Sequence, residues 1–266
     1  RKDLRVPLPR QFALKVEGRT VQAIDRRAKY LLLRLDDRQT LIVHLGMSGR
    51  MTLYDAKAAA EHPFERHDHV VFELDDGWQV RFNDARRFGL MLLTPTDSVE
   101  KHKAFKGLGP EPLDDAFNGA ILASRLKGRR TPIKAALLDQ TCVAGVGNIY
   151  ADESLYRARI HPSRLTGSLD RSEITALHHE LVHILEVAIP VGGALMRGNR
   201  KVPVEDEADA GRDFLEAHGC AGERCPRCVA RGDAGQDNAP QIIRIVVAGR
   251  GTYVCPGCQA NPSSSP

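Results

Sequence analysis

No stretch of this 266-residue chain approaches the roughly 18 consecutive apolar residues that a membrane-spanning helix needs, so nothing in it anchors a bilayer and a soluble protein is expected. An opening methionine is missing as well. The first residue is Arg1, which predicts that the chain starts inside a longer product and leaves room for a cleaved targeting segment ahead of it. Charge of one sign is not in large excess. Lysines and arginines (38) face 34 aspartates and glutamates, a formal net charge of +4 that favours a polyanionic partner only mildly. A disulfide framework is not expected either. The six cysteines fall as two close pairs, Cys225/Cys228 and Cys255/Cys258, with Cys142 and Cys220 alone, and in a chain this long such pairing points to a metal and a reducing cytoplasm.

What is present is a hydrophobic content of 42% and enough length for about two domains. The first hundred residues read as strands in YLLLRL, TLIVHLGM, HVVFEL and WQVRF, and VVFELDDGWQVRF reads as a hairpin whose Asp76-Gly77 supplies the positive φ of a two-residue turn. A Gly/Pro-rich stretch, KGLGPEPLDD, marks a boundary. Beyond it the period is helical, in ILASRLKG, TPIKAALLDQ, NIYADESLYRARI and SLDRSEITALHHELVHILEVAI. Asp170 with Glu173 predicts a capping box, and Ile174, Leu177, Leu181, Leu185 and Ala188 predict one apolar stripe. A mobile loop is expected over VGGALMRGNRKVPVEDEADAGRD, and a disordered tail at NPSSSP.

Cys-Pro-Arg-Cys and Cys-Pro-Gly-Cys each offer two thiolates to one tetrahedral Zn²⁺, and together they fill all four positions, so a single zinc is expected to be structural. The 26 residues between the knuckles exceed the usual spacing of roughly 15–20, the excess being the polar ARGDAGQDNAP. The alternative is four unrelated free cysteines. QIIRIVV and TYVC read as strands joined at AGRG, which puts Arg250 at the tip of a zinc-stapled hairpin, suited to a phosphate. RLKGRRTPIK adds Arg125, Lys127, Arg129, Arg130 and Lys134 with no acid among them. Close behind comes AGVGNIYADESL, where Gly145 and Gly147 permit a tight turn and its free amides, with Asn148, can hold a phosphate where a helix begins.

Together RRAKYLLL, HLGMSGR, HDHV, FNDARRFG, LGPEPL, VGNIYADESL and the cysteine knuckles, in one order over nearly the whole chain, resemble the formamidopyrimidine-DNA glycosylases. The resemblance implies a bacterial base-excision enzyme, a monomer in the cytoplasm and at the nucleoid, that removes oxidised purines such as 8-oxoguanine and formamidopyrimidines from double-stranded DNA. It also implies an AP lyase acting by β,δ-elimination. The implied fold is α+β: a β-sandwich-like domain over 1–95 lacking its first segment, a linker over 96–110, a helix–two turns–helix domain over 111–215, a zinc hairpin over 216–260 and a tail over 261–266.

By the same resemblance Met47, Arg86 and Phe88 match the residues that fill the hole left by a flipped nucleotide, a sensible set because thioether, ring and guanidinium replace stacking and pairing. Lys29 matches the proton donor of β-elimination and Arg250 the arginine of δ-elimination. His67, Arg86 and Arg129 match DNA contacts, Lys134 and Asn148 phosphate contacts, and Cys225, Cys228, Cys255 and Cys258 the zinc ligands. Two departures stand out. The family's nucleophile is an N-terminal proline followed by a glutamate, whereas this chain begins RKDLRVPLPR, in which Pro7 and Pro9 are internal imides; a fragment, or a DNA-binding remnant without catalysis, is expected from that. The loop that covers the flipped base carries only Phe214 as an aromatic. A rival of another class lies in His179-Glu180-Leu181-Val182-His183, an H-E-x-x-H pattern of zinc proteases, but its histidines fall opposite the apolar stripe and no third ligand is evident. A nearer rival is the endonuclease VIII type, specific for oxidised pyrimidines; HLGMSGR and ARRFG favour the purine enzyme.

Overall fold

The computed structural model describes residues 4–190, 214–232 and 238–261, and the chain divides into two compact units, Arg1–Gly107 and Leu108–Pro266. The division falls inside the predicted linker. Val99 and Phe105 of that segment are buried in the first unit, where Phe105 meets Tyr30 edge-on at 5.1 Å, and Gly109 and Pro110 bond the second unit through Gly109 N to Gln140 O and Ala144 N to Pro110 O.

The first unit opens with a short helix, α1 (Phe12–Val16), and then forms two antiparallel sheets. One has the order β1 (Val21–Arg27), β2 (Tyr30–Leu35), β3 (Gln39–His44), β7 (Leu90–Pro95); the other has β4 (Arg50–Tyr54), β6 (Gln79–Asn83), β5 (Asp68–Glu73), and a short helix, α2 (Ala56–Glu61), follows β4. Leu41, Val43 and Met91 from the first sheet and Phe82 from the second share one core, so this is the expected sandwich-like layer pair. Thr40, Leu41, Ile42 and Val43 are all buried, and this is why β3 reads as an unbroken apolar run rather than as an alternation. β1 is its opposite, exposed at nearly every position, and its sequence VQAIDRR carries no strand signal.

The β5–β6 turn differs from the expected one. Leu74 N bonds Trp78 O, so the loop holds three residues, Asp75, Asp76 and Gly77, and only Gly77 has a positive φ (85°). A single left-handed residue completing a type I turn needs a glycine in that place alone.

The second unit packs α3 (Gly119–Leu126), α4 (Ile133–Leu138), α5 (Asn148–Arg157) and α6 (Arg171–Ala188) around Leu122, Leu126, Ile133, Leu137, Leu155 and Leu181. The capping box of α6 forms as expected: Asp170 accepts from Glu173 N at 2.9 Å and Glu173 from Asp170 N at 2.9 Å. Its buried stripe is Leu177, Leu181, Ile184 and Ala188, with Ile174 and Leu185 only half-buried at the rim, because the three-residue step from Leu181 to Ile184 and the four-residue step on to Ala188 follow the packed face more closely than Leu185 does. A last helix, α7 (Pro226–Arg231), and the hairpin β8 (Ile243–Val247), β9 (Arg250–Val254) lie in the same unit. No helix among the described residues is long and apolar enough to cross a membrane. The predicted mobile loop lies outside the described residues over 191–213, as do 233–237 of the polar insert and 262–266 of the tail.

Candidate nucleic-acid interface and metal centre

In the first unit two loops meet. One follows β3 and carries Met47, 60% exposed; the other follows β6 and carries Arg86 and Phe88, both exposed, the guanidinium lying 4.6 Å over the ring. Gly46 makes the meeting possible, since its φ is 72° and an added Cβ would stand 2.5 Å from the Phe88 backbone. What joins the loops is Asp84, wholly buried. Its carboxylate accepts from Ser48 Oγ at 2.5 Å and from Gly89 N at 2.7 Å, while Ser48 Oγ accepts from Arg86 N at 3.2 Å. The Asp84 backbone reaches His67 and His69: its N–H donates to His67 O at 3.0 Å and its carbonyl meets His69 Nε2 at 2.8 Å. The loops that carry Met47, Arg86 and Phe88 are therefore joined by the Asp84 carboxylate, and His67 by its backbone N–H; sequence reasoning missed this residue, although it sits in the quoted FNDARRFG.

Lys29 is exposed in the two-residue connection from β1 to β2, beside Ala28 with φ 50°. Burial pushes the His44 pKa down, and the charges of Lys29 and Arg5 push it further. A neutral His44 suits its place, because its Nδ1 accepts from Gly46 N at 2.9 Å and so holds the Met47 loop.

In the second unit the turn between α4 and α5 is stapled by Gln140, whose Oε1 accepts from Gly145 N at 2.9 Å and whose Nε2 donates to Leu138 O at 3.1 Å and Val146 O at 3.0 Å. Gly145 has φ 82° and Asn148 is the first residue of α5. Arg129 is aimed by Asp139 at 2.6 Å, by Arg125 O at 2.9 Å and by Thr141 Oγ1 at 3.3 Å, and the Asp139 hydrogen bond raises its pKa against a smaller opposing effect of burial.

Lys134, expected to contact a phosphate, is enclosed by protein partners. Its side chain is wholly buried, its Nζ pairs with the equally buried Asp152 at 2.7 Å, and it donates to Thr252 Oγ1 at 2.7 Å and Gly251 O at 3.0 Å. With that ion pair and the two hydrogen bonds to the hairpin, the wholly buried Lys134 clamps the hairpin and faces no solvent. Burial pushes its pKa down, Asp152 opposes, and the nearby positive charge of Arg250 adds to the lowering. Asn148 Nδ2 donates to the same Gly251 carbonyl at 3.0 Å. Arg250 itself is exposed at the first position of β9, directly after a two-residue turn in which Ala248 (φ 49°) and Gly249 (φ 72°) are both left-handed. Thus the turn expected at AGRG uses Ala248-Gly249, and Gly251 serves instead as the anchored carbonyl.

The four knuckle cysteines converge. Their sulphurs all lie within 4.8 Å of one another, with Cys225–Cys258 at 3.7 Å, Cys228–Cys255 at 3.6 Å and Cys228–Cys258 at 3.4 Å, all buried and none in a disulfide. A tetrahedron with metal–sulphur bonds of roughly 2.3 Å has edges of about 3.8 Å, so the donor set fits one tetrahedral cation. Burial, then the neighbouring thiols, push the Cys255 pKa up to about 11, and a bound cation would favour the thiolate form that ligation needs. Gly257 is required in the second knuckle because a Cβ would meet Pro240 at 2.8 Å and Cys228 Sγ at 3.2 Å.

His179 and His183 are exposed on α6 with stacked rings 6.2 Å apart, and among the described residues the four cysteines are the one group of three or more ligating side chains, so the protease pattern lacks its third ligand. Phe214 is buried against α6 in a cluster with Ile184, Ala188 and Leu215, a core residue rather than a cover for a flipped base.

Comparison with known proteins follows the same division. The model described as "Formamidopyrimidine-DNA glycosylase N-terminal domain" matches residues 1–91, and that described as "Formamidopyrimidine-DNA glycosylase H2TH domain" matches residues 108–199. Curated relatives include formamidopyrimidine-DNA glycosylases of Cereibacter sphaeroides, 45% identical over 97% of this chain and 89% of the relative, and of Ruegeria sp., 42% identical with the same coverage. Among solved structures, Lactococcus lactis Fpg in complex with an abasic site containing DNA has a TM-score of 0.81 and 37% identity over 95% of this chain and 86% of that one. The same Lactococcus protein with a Fapy-dG containing DNA has a TM-score of 0.79 at 37% identity and equal coverage. With both family models matched in order and relatives 45% identical over nearly its whole length, the chain belongs to the formamidopyrimidine-DNA glycosylase family.

Proposed function

We propose that the protein excises oxidised purines, 8-oxoguanine and formamidopyrimidines, from double-stranded DNA as a base-excision glycosylase, and then opens the strand as an AP lyase by β,δ-elimination. The observation that carries this reading is the pair of loops tied by Asp84, which holds an exposed thioether, a guanidinium and a ring side by side on a rigid sandwich. Such a set replaces the stacking and pairing lost when a nucleotide leaves the duplex, which costs a few kcal/mol. Curated relatives are named for this activity, and the Lactococcus relative was solved on abasic and Fapy-dG DNA.

The chemistry needs an amine that links to the sugar C1′ as the base departs, a proton donor and phosphate contacts. Lys29 is the proposed proton donor in β-elimination, where the 3′-phosphate leaves, and Arg250 acts in δ-elimination, where the 5′-phosphate leaves. His67 and Arg129 contact the DNA backbone with Arg86, and Asn148 offers the amide nearest the start of α5 to a phosphate. Lys134 supports that phosphate subsite by holding the Gly251 carbonyl beside Arg250. The metal proposed is one Zn²⁺ on Cys225, Cys228, Cys255 and Cys258; with every position taken by sulphur it is structural and keeps the hairpin folded. A monomer in the bacterial cytoplasm, working at the nucleoid, fits this role.

The test is incision of a duplex carrying 8-oxoguanine opposite cytosine, with borohydride present to freeze the imine. Given an amine that reaches C1′, the role the family assigns to an N-terminal proline, cleavage leaving phosphate at both ends and a trapped covalent adduct are expected, faster than on 5-hydroxyuracil. Faster reaction with the oxidised pyrimidine would move the protein to the endonuclease VIII type. Tight binding of an abasic analogue with no adduct would reduce it to a DNA-binding remnant.

A further inference from the structure

The metal centre is fastened to α5 by a reciprocal clasp. From the knuckle side, Arg227, an intervening residue of Cys-Pro-Arg-Cys, donates through Nη1 to Arg157 O at 2.6 Å and to Tyr156 O at 3.3 Å, and its guanidinium lies 5.2 Å over the Tyr156 ring. These carbonyls end α5, where a cation also meets the negative end of the helix dipole. From the helix side, the wholly buried Tyr156 sends its hydroxyl to Cys225 Sγ at 3.1 Å. A metal-bound thiolate has no proton to give, so the hydroxyl is the donor. Arg231, one turn beyond Cys228 on α7, adds Nη2 contacts of 3.2 Å to Cys228 Sγ and 3.7 Å to Cys258 Sγ.

The electrostatics make these donors consequential. Four thiolates around a divalent cation carry a net charge of −2 into a buried cluster that also contains Tyr156, Ala217 and Ile242. Such a charge is costly unless hydrogen bonds and counter-charges spread it. Tyr156 supplies a dipole to one sulphur and Arg231 a full positive charge to two others, the kind of outer contact that orients and tunes metal ligands.

We propose that Tyr156 and Arg231 are positioning residues of the metal centre, whose hydrogen bonds to Cys225 and to Cys228 and Cys258 withdraw electron density from the thiolates and hold the metal against loss. α5 then links two anchor points, with Asn148 at its start on Gly251 of the hairpin and Tyr156 near its end on the first knuckle. This inference rests on the reading of the four cysteines as a zinc site.

Tyr156→Phe keeps the ring and deletes the donor; Arg231→Gln, at an exposed side chain, perturbs the fold least. Two measurements are made on the full chain: the rate at which zinc passes to a chromogenic chelator, and the sulphur-to-cobalt charge-transfer band after Co²⁺ replacement. Each variant is expected to release zinc about tenfold faster, in line with outer-partner losses at other metal sites, and to shift the band to longer wavelength as the thiolates become better donors. Ile242→Val, which changes packing in the same cluster without removing a hydrogen bond to sulphur, is the control and leaves the band in place. An unmoved band in both donor variants overturns the proposal, even if zinc leaves faster, because packing alone then accounts for the loss. A wild-type protein that binds neither metal overturns the zinc reading itself. Should Tyr156→Phe not fold, the Arg231→Gln band decides.

Discussion

Replacing Asp84 by alanine is the sharpest test of how the candidate DNA-reading loops are held. The carboxylate is 0% exposed and accepts two hydrogen bonds, from Ser48 Oγ and from Gly89 N. Alanine leaves the half-buried Ser48 hydroxyl to find water, but the Gly89 N–H lies in a buried setting and stays without an acceptor. Losing charge-assisted bonds of this kind costs about 1.5–3 kcal/mol each, so with partial recovery at Ser48 the net loss is roughly 3 kcal/mol. For a chain of this size that corresponds to a fall in Tm of roughly 6–12 °C. Asparagine retains one carbonyl acceptor and is expected to lose about half as much. The functional consequence is selective: affinity for a duplex with a tetrahydrofuran abasic analogue falls as the Met47 and Arg86–Phe88 loops separate, while binding to undamaged duplex, carried by phosphate contacts, changes little. Calorimetry and a titration against both duplexes decide it. A Tm within about 1 °C of wild type, or an unchanged preference for the abasic duplex, would refute the role given to Asp84.

Lys134→Met is expected to cost about 3 kcal/mol because it leaves the buried Asp152 carboxylate with His218 as its remaining partner, at 2.7 Å, and Lys134→Met with Asp152→Leu to recover part of that; denaturant melts that show no recovery would mean the pair is not the unit of stability. For His44 the folded pKa is depressed below 6.5, so the unfolded state takes up the proton first. Its contribution to stability is complete above about 6.5 and declines as pH falls through the folded value, and His44→Gln should flatten that decline in Tm between pH 7 and 5. Arg250→Ala should reduce the salt dependence of abasic-duplex binding by about one phosphate contact, and an unaltered slope would count against a phosphate role.

Short-range rules made part of the protein legible without coordinates. The capping box of α6 needs only Asp170 and Glu173 three residues apart, and the cysteine knuckles need only the spacing that lets one cation reach both sulphurs. Strands β2, β3, β5 and β6 announced themselves because burial writes apolar residues into them, whereas β1, exposed at nearly every position, left no such mark. Packing decided what no local pattern can encode. Lys134 reads as one more cation in a basic run until Thr252, 118 residues away, and Asp152 enclose it. Tyr156 reads as an ordinary core aromatic until a sulphur 69 residues distant meets its hydroxyl. Asp84 lies in a visible motif, but its partners Ser48 and Gly89 belong to different loops and become neighbours only when the sandwich closes. Local hydrogen bonding and hydrophobic periodicity act over a few residues and determine which elements form; the work each buried polar group does depends on acceptors brought to it by chain folding over tens of residues, and that only the tertiary structure decides.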